Sequence, residues 1–272
     1  MVGVTRKISK GQSSEIEISG PTEVQKLGSI LQEMIASVEA SQRSQREFVS
    51  NISHELRTPL TSVQGFSQVI LDGTARDPET LHHAAKLINS KAGCLQRLAN
   101  GLVDLARLEH GTVDLQSGMI DLSELLGGIV EKLAPQIQAK CLVVTLTTGG
   151  LPKIYGDGDR LAQVFLNLLD NAIKFTPPGG KIELTAYRIK DAVNIRVVDS
   201  GPGISLEDQK GNFERLYQVE KSTRGGAGRG IGLELPIAQQ IVIAHGGQIL
   251  LESSPGQGAT FTVQIPVDRE NL

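Results

Sequence analysis

Four groups of residues combine reactive types with meaningful spacing. The first is FVSNISHELRTPL, Phe48–Leu60, which sets His54 inside an apolar helical pattern with Glu55 beside it and Thr58 and Pro59 just after. At a helical repeat, His54, Arg57 and Thr58 share one face. A neutral imidazole is a nucleophile near neutral pH. Pro59 cannot donate to the carbonyl of Glu55, so the helix is expected to bend one turn past the histidine and tilt the ring outward. The second group is DRLAQVFLNLLDNAIKF. Here Leu161, Val164, Phe165, Leu168, Leu169 and Ala172 fill one arc of a helical wheel, and Gln163, Asn167, Asp170, Asn171 and Lys174 crowd the opposite arc. Two asparagines one turn apart, followed by a lysine, offer neutral oxygen ligands and one point charge. That set suits a magnesium ion already coordinated mostly by water and phosphate oxygens. The third group, VVDSGPGIS, places Asp199 where an apolar strand meets Gly201 and Gly203. The fourth, TRGGAGRGIGLELPIAQQIVIAHGG, runs from a glycine-rich loop into an apolar helix ended by Gly246 and Gly247. Backbone amides and a helix N-terminus there can meet a triphosphate. Taken singly, each group has a plain structural reading: a surface histidine, a solvated helix face, a turn-forming aspartate and a linker.

The elements that must position these residues follow from periodicity. Leu27, Leu31, Met34 and Val38 alternate steps of four and three, a coiled-coil seam interrupted by Ser41 and Gln45 and resumed by Phe48 and Ile52. Past Pro59, the residues Val63, Phe66 and Ile70 continue the helix to Gly73, and Pro78 marks a restart. Ala84, Ile88, Leu95, Leu98, Leu102 and Leu105 then form a second seam, with Lys91 as its polar occupant. Gly93 and Gly101 each lower helix propensity by about 1 kcal/mol relative to alanine, so this helix depends on packing. Two long antiparallel helices bury one stripe each, which predicts a helical hairpin that dimerises into a four-helix bundle. EHGTVDL ends the hairpin at Gly111, and an amphipathic helix begins at Asp121. Strand patterns KCLVVTLTT, KIELTAYRI, AVNIRVVDS, QILLESS and ATFTVQIPV follow, with hairpin signals at PPGGK and SPGQGA. This predicts an α/β sandwich, helices on one face of a mixed sheet.

Composition bounds the function. A net charge of −3, aromatics at 3% and no tryptophan argue against a nucleic-acid partner. Cys94 and Cys141 lack metal-ligand spacing and read as buried thiols in a reducing compartment. No apolar run approaches the length of about 20 residues that spans a bilayer, and no signal-peptide core is present at the N-terminus.

HELRTP resembles the phosphoacceptor box of sensor histidine kinases, and that family's later motifs recur in order, so that the resemblance runs from about Thr5 to Pro266. RKISKGQSSEIEISGPTEVQKLGSILQEM is similar to the second half of a HAMP relay. The helix around Asn167 and Asn171 resembles the N box, with those asparagines at the magnesium positions and Lys174 near the phosphates. VVDSGPGIS resembles the first glycine box, which implies that Asp199 accepts the adenine amino group while Gly201 and Gly203 let the backbone pass close to the base. NFERLYQVEKS resembles the F box, with Phe213, Arg215 and Tyr217 at its characteristic places, although Gln209 and Asn212 stand where aliphatic residues are usual. Gly228, Gly230, Gly232 and Leu233 align with the lid and second glycine box, and Glu234 stands where a glycine is expected.

The resemblance implies a Bergerat (GHKL) ATPase domain behind a dimeric phosphotransfer hairpin, with ATP and Mg2+ as cofactors. Expected boundaries are a partial HAMP-like segment and signalling helix over 1–47, the phosphotransfer domain over 48–112, a linker over 113–118, the ATP-binding domain over 119–268 and a tail over 269–272. It implies that His54 is phosphorylated from ATP, that Glu55 takes the ring proton, and that the phosphoryl group passes to an aspartate of a response-regulator receiver. Thr58 is where the family orients a water for the reverse, phosphatase, reaction. The implied setting is a homodimer on the cytoplasmic side of a bacterial inner membrane, tethered to a sensor outside this sequence. Two other readings fit parts of the chain. A pseudokinase or docking module is motivated by Glu234, whose carboxylate brings negative charge near phosphates and weakens ATP binding. A chaperone- or topoisomerase-like ATPase would share the fold but not HELRTP.

Overall fold

A computed structural model describes residues 22–109, 115–213 and 232–267, and the chain divides into two compact units, Met1–Ser53 and His54–Leu272. Helix α1 spans Thr22–Leu71. Within the first unit its seam residues Leu27, Leu31, Met34 and Val38 all lie on the surface of the single chain. The HAMP-like connector before Thr22 lies outside the described residues.

The second unit begins at His54, within the stretch Phe48–Leu60. Helix α1 is not broken at Pro59, which is buried, and ends at Leu71, two residues before Gly73, whose φ of 65° glycine adopts without strain. Helix α2, Pro78–Glu109, starts behind Asp77, whose carboxylate accepts from the Thr80 amide at 2.7 Å and the Thr80 hydroxyl at 2.6 Å. Along its expected seam Ala84, Leu98 and Leu105 are buried, and Ile88, Leu95 and Leu102 are half-buried.

The α/β portion contains β1 (Gly118–Ile120), α3 (Leu122–Ala139), β2 (Val143–Thr148), β3 (Ile154–Gly156), α4 (Gly158–Phe175), β4 (Lys181–Ile189), β5 (Ala192–Asp199), α5 (Leu206–Gly211), α6 (Glu234–Ala244), β6 (Gln248–Ser253) and β7 (Ala259–Pro266). Strands β2-β4-β5-β7-β6 form a five-stranded sheet in that order, with β2 and β4 parallel and the remaining pairs antiparallel. Strands β1 and β3 form a separate antiparallel pair. The helices pack on the large sheet: α3 on β2, α4 on β5, and α6 on β6 and β7. Burial alternates along β7, and Val193, Ile195 and Val197 of β5 are almost fully buried, as a sheet with one covered face requires.

Helix α4 supplies the centre of the core. Leu161, Val164, Phe165, Leu168, Leu169 and Ala172, the expected apolar arc, are all buried. Burying each large side chain is worth about 1.5–3 kcal/mol. Both ends of α4 are held from a distance. At its start, Asp157 accepts from the amides of Arg160 at 3.0 Å and Gln116 at 2.9 Å. The Asp157 amide in turn donates to Nε2 of His245 at 3.0 Å. His245 is buried, and since Nε2 accepts, Nδ1 carries the proton and donates to the Ile241 carbonyl at 2.7 Å. At its end, the Lys140 ammonium takes the carbonyls of Ile173 and Lys174 at 2.8 Å and of Thr176 at 3.2 Å, satisfying acceptors the helix leaves unpaired.

The structure corrects three expectations. PPGGK is a helix-to-strand turn between α4 and β4, while the hairpin between β4 and β5 turns at Lys190 and Asp191 with no glycine. Lys190 adopts a φ of 52° there, and its carbonyl accepts from Nε of Arg188 at 2.7 Å. Cys141 is exposed and Cys94 half-exposed, so neither is a buried thiol. Cys141 occupies the turn after α3 with a φ of 52°, on the surface rather than in β2.

The β6–β7 turn packs against the end of β5. Gly258 has a φ of 75°, and a Cβ there would collide with the Asp199 carbonyl oxygen. Gly258→Ala is therefore expected to lower stability by at least about 2 kcal/mol in denaturant unfolding.

Candidate functional site

His54 is exposed on α1, one residue before the half-buried Glu55. Adjacent helical side chains diverge, and among the described residues no hydrogen bond joins the two. Thr58 is exposed on the same face as His54, and its hydroxyl donates to the His54 carbonyl at a long 3.3 Å. Ser53 and Ser62 bond back to Val49 and Thr58 in the same way, at 2.8 and 3.1 Å. The face that carries His54 thus has a ring open to solvent and a weakly held hydroxyl one turn away.

A second group forms on the polar arc of α4. Asn167 is half-buried and its Nδ2 donates to the Glu234 carbonyl at 3.0 Å, at the first residue of α6. That bond uses the amide nitrogen and leaves Oδ1 as the ligand atom. Asn171 follows one turn later, half-buried, with Asp170 exposed beside it. Burial holds Lys174 below the usual lysine range, opposed by the carboxylates of Glu234 and Asp170. Its ammonium lies 4.8 Å from the centre of the Phe175 ring. Among the described residues no cluster of three or more His, Cys, Asp or Glu side chains is present. The amide oxygens of Asn167 and Asn171 are of the donor type that suits a hard cation bringing most of its oxygen ligands with it.

The third group surrounds Asp199 at the end of β5. Its carboxylate is buried, and burial raises its pKa, partly offset by the amides of Gly201 and Ala259. Gly201 N donates to Oδ1 at 2.8 Å, and a Cβ on Gly201 would stand 2.7 Å from that same oxygen. Gly203, with a φ of 71°, passes so close to Ser254 that no side chain fits. The loop is fastened to the β6–β7 turn by Ile204 N to Ser253 Oγ at 2.8 Å, Ser253 Oγ to the Gly258 carbonyl at 2.6 Å, and Gly256 N to the Pro202 carbonyl at 2.7 Å. A carboxylate held rigid in a poorly solvated pocket is a selective acceptor for an exocyclic amino group.

Phe213 packs edge-on against Phe261 of β7, with ring centres 6.5 Å apart. Gln209, in place of an aliphatic residue, donates to the carbonyls of Ile204 and Ser253 at 2.8 and 2.9 Å. Hydrogen bonds thus replace apolar packing in α5. Arg215, Tyr217, Gly228 and Gly230 lie outside the described residues. Gly232 has a φ of 73° and Leu233 is buried, its Cδ1 3.3 Å from where a Cβ on Gly101 of α2 would stand. The structure thus gathers Asn167, Asn171, Lys174 and Leu233 around the facing parts of α4 and α6, places Asp199, Gly201 and Gly203 at the strand end, and carries His54, Glu55 and Thr58 on the hairpin. Sequence reasoning missed the supporting residues Lys140, His245 and Ser253. Only their tertiary placement gives them a role, and no local pattern marks it.

Comparison with known proteins agrees with this arrangement. Residues 44–111 match the His Kinase A (phospho-acceptor) domain, and residues 156–269 match the histidine kinase-, DNA gyrase B- and HSP90-like ATPase. The signal transduction histidine-protein kinase BaeS of Escherichia coli is 32% identical over 99% of this chain, which spans 57% of BaeS. Sensor protein SrrB of Staphylococcus aureus is 33% identical over 81% of the chain, which spans 38% of SrrB. The chain thus spans well under two thirds of these relatives. Among solved structures, the Acinetobacter baumannii histidine kinase AdeS superposes with a TM-score of 0.65 at 25% identity, over 79% of this chain and 98% of AdeS. The histidine kinase ThkA, in complex with the response regulator protein TrrA, superposes with a TM-score of 0.63 at 28% identity, over 91% of this chain and 65% of that one. With a phosphoacceptor hairpin and a histidine kinase-type ATPase domain in one chain, the protein belongs to the sensor histidine kinases of two-component systems.

Proposed function

We propose that this chain phosphorylates its own His54 from ATP and passes the phosphoryl group to an aspartate on a response-regulator receiver. The observation that carries this reading is the solvent-open His54 ring on a chain that also holds the α4 asparagine–lysine face and the buried Asp199. One ring nitrogen of His54 attacks the γ-phosphorus, the bond from phosphorus to the bridging oxygen breaks, and ADP leaves with the electron pair. Glu55 takes the proton from the other ring nitrogen as positive charge develops. Asp199 accepts the adenine amino group, Gly201 and Gly203 admit the base edge, and Lys174 faces the phosphates. Asn167 and Asn171 would hold magnesium, which supplies neutralisation of phosphate charge in a transition state that depends on positioning. The match to a structure of a kinase with its regulator supports a receiver domain as the acceptor.

The phosphotransfer domain is assigned to 48–112 and the catalytic domain to 119–268. The exposed seam of α1 and the half-covered stripe of α2 support a homodimer through a four-helix bundle. No described helix is long and apolar enough to cross a membrane. The kinase relatives do not favour the docking-module reading.

Incubation with labelled ATP and magnesium should give an acid-labile, alkali-stable phosphoprotein that His54→Gln abolishes. An unlabelled parent chain, or a label that survives the substitution, would sink the reading. Thr58→Ala is expected to keep autokinase activity and lose dephosphorylation of the regulator, measured as decay of phosphorylated receiver. Asp199→Asn removes a charged acceptor worth about 1.5–3 kcal/mol, so nucleotide Kd should rise roughly 10- to 100-fold in calorimetry. Because burial raises the Asp199 pKa and adenine selects its ionised form, parental affinity should fall on acidification at a higher pH than an ordinary carboxylate would give. The same raised value means that the folded state holds this proton more tightly than the unfolded state. The resulting stability is present below the ordinary carboxylate pKa and lost as pH rises through the raised one.

A further inference from the structure

Glu234 opens α6, and three contacts fix where it stands. Its Oε2 accepts from the Leu233 amide at 3.1 Å. Its carbonyl accepts from Asn167 at 3.0 Å. Its charge acts on Lys174, the half-buried cation of the same face. On the N-terminal side Leu233 is buried, its Cδ1 3.3 Å from where a Cβ on Gly101 of α2 would stand. The amides at the start of α6 and the Lys174 ammonium are the described groups here that an anionic phosphate tail would use. Glu234 gives a carboxylate to both. With Asp170 it brings the formal charge of the Lys174 cluster to one negative before any nucleotide arrives.

We propose that Glu234 is a specificity-determining residue: an internal anion that occupies the phosphate end of the nucleotide site and reduces the chain's preference for ATP over ADP and adenosine. This rests on the ATP-binding reading above and goes beyond it by naming what sets the phosphate selectivity. A nucleotide entering the site must separate the carboxylate from its amide and share Lys174 with it. Each added phosphate brings more negative charge toward the same carboxylate, so the penalty grows along the series adenosine, ADP, ATP. Adenine recognition at Asp199, on a different element, is untouched.

The test is calorimetric titration of the intact chain with adenosine, ADP and a non-hydrolysable ATP analogue in excess magnesium, for the parent, Glu234→Gln and Glu234→Asp. Glu234→Gln keeps the shape and removes the charge. It should tighten the ATP analogue about tenfold, ADP by less and adenosine by under about twofold, with Tm unchanged. Glu234→Asp, which keeps the charge, should leave the ordering as in the parent. An equal gain for all three ligands, no gain, or a loss of ATP affinity on Glu234→Gln would overturn the proposal; the last would make Glu234 a cation ligand instead. Adenosine binding by the parent separates the two levels. If the parent binds adenosine and the phosphate series is flat across the variants, only the role of Glu234 fails. If the parent binds none of the three ligands, the nucleotide-site reading fails and the proposal with it.

Discussion

Helix α4 must be buried along one side and chemically usable along the other, and most of the α/β portion follows from that constraint. Its apolar arc, from Leu161 to Ala172, is sealed against the sheet. This commits the opposite arc, with Asn167, Asn171 and Lys174, to face away from the core. The same side-chain packing that stabilises the domain therefore aims the candidate ligands, and neither function can be changed without the other. The helix ends are fixed from outside. Lys140 closes the C-terminal carbonyls, and a chain from His245 through Asp157 closes the N-terminus and ties α4 to the far end of α6.

The Asp199 end is stiffened by different means. Backbone approaches take the place of side-chain packing: Gly201 beside its carboxylate, Gly203 beside Ser254, and Gly258 against its carbonyl. With Ser253 linking Ile204 to Gly258, the loop has little freedom to relax around a ligand. Backbone built this way holds the Asp199 carboxylate in one place, whereas the Lys174 end is shaped by neighbouring charge.

Much of this was legible in the sequence, for identifiable reasons. Helix α4 declared itself because the apolar arc from Leu161 to Ala172, in a helix of eighteen residues, has only one helical solution. His54 was expected to face outward through a bend at Pro59, and it is exposed on a helix that runs unbroken through that proline. Strands β1 and β3, with three residues each, are too short to carry a period. The β4–β5 hairpin went unread because Lys190 takes a left-handed turn position without glycine. Lys140 looks like any surface lysine until the end of α4 is brought to it. Glu234 could be seen as out of place in its motif, but its bonds to Leu233 and Asn167 needed the fold.

Gly101 offers α6 a seat with no side chain of its own, on which the tips of Leu233 and Ile237 rest at 3.3 and 3.6 Å from where a Cβ would be. Interdigitated knobs would have to climb over one another to move, whereas methyl groups on bare backbone can glide. The rim pair of Asp104 and Arg160, 3.5 Å apart and partly solvated, opposes such a shear weakly at its edge. The hairpin thus gives the ATP-binding half a bearing surface, along which travel is cheap in a way that a tightly keyed joint would forbid.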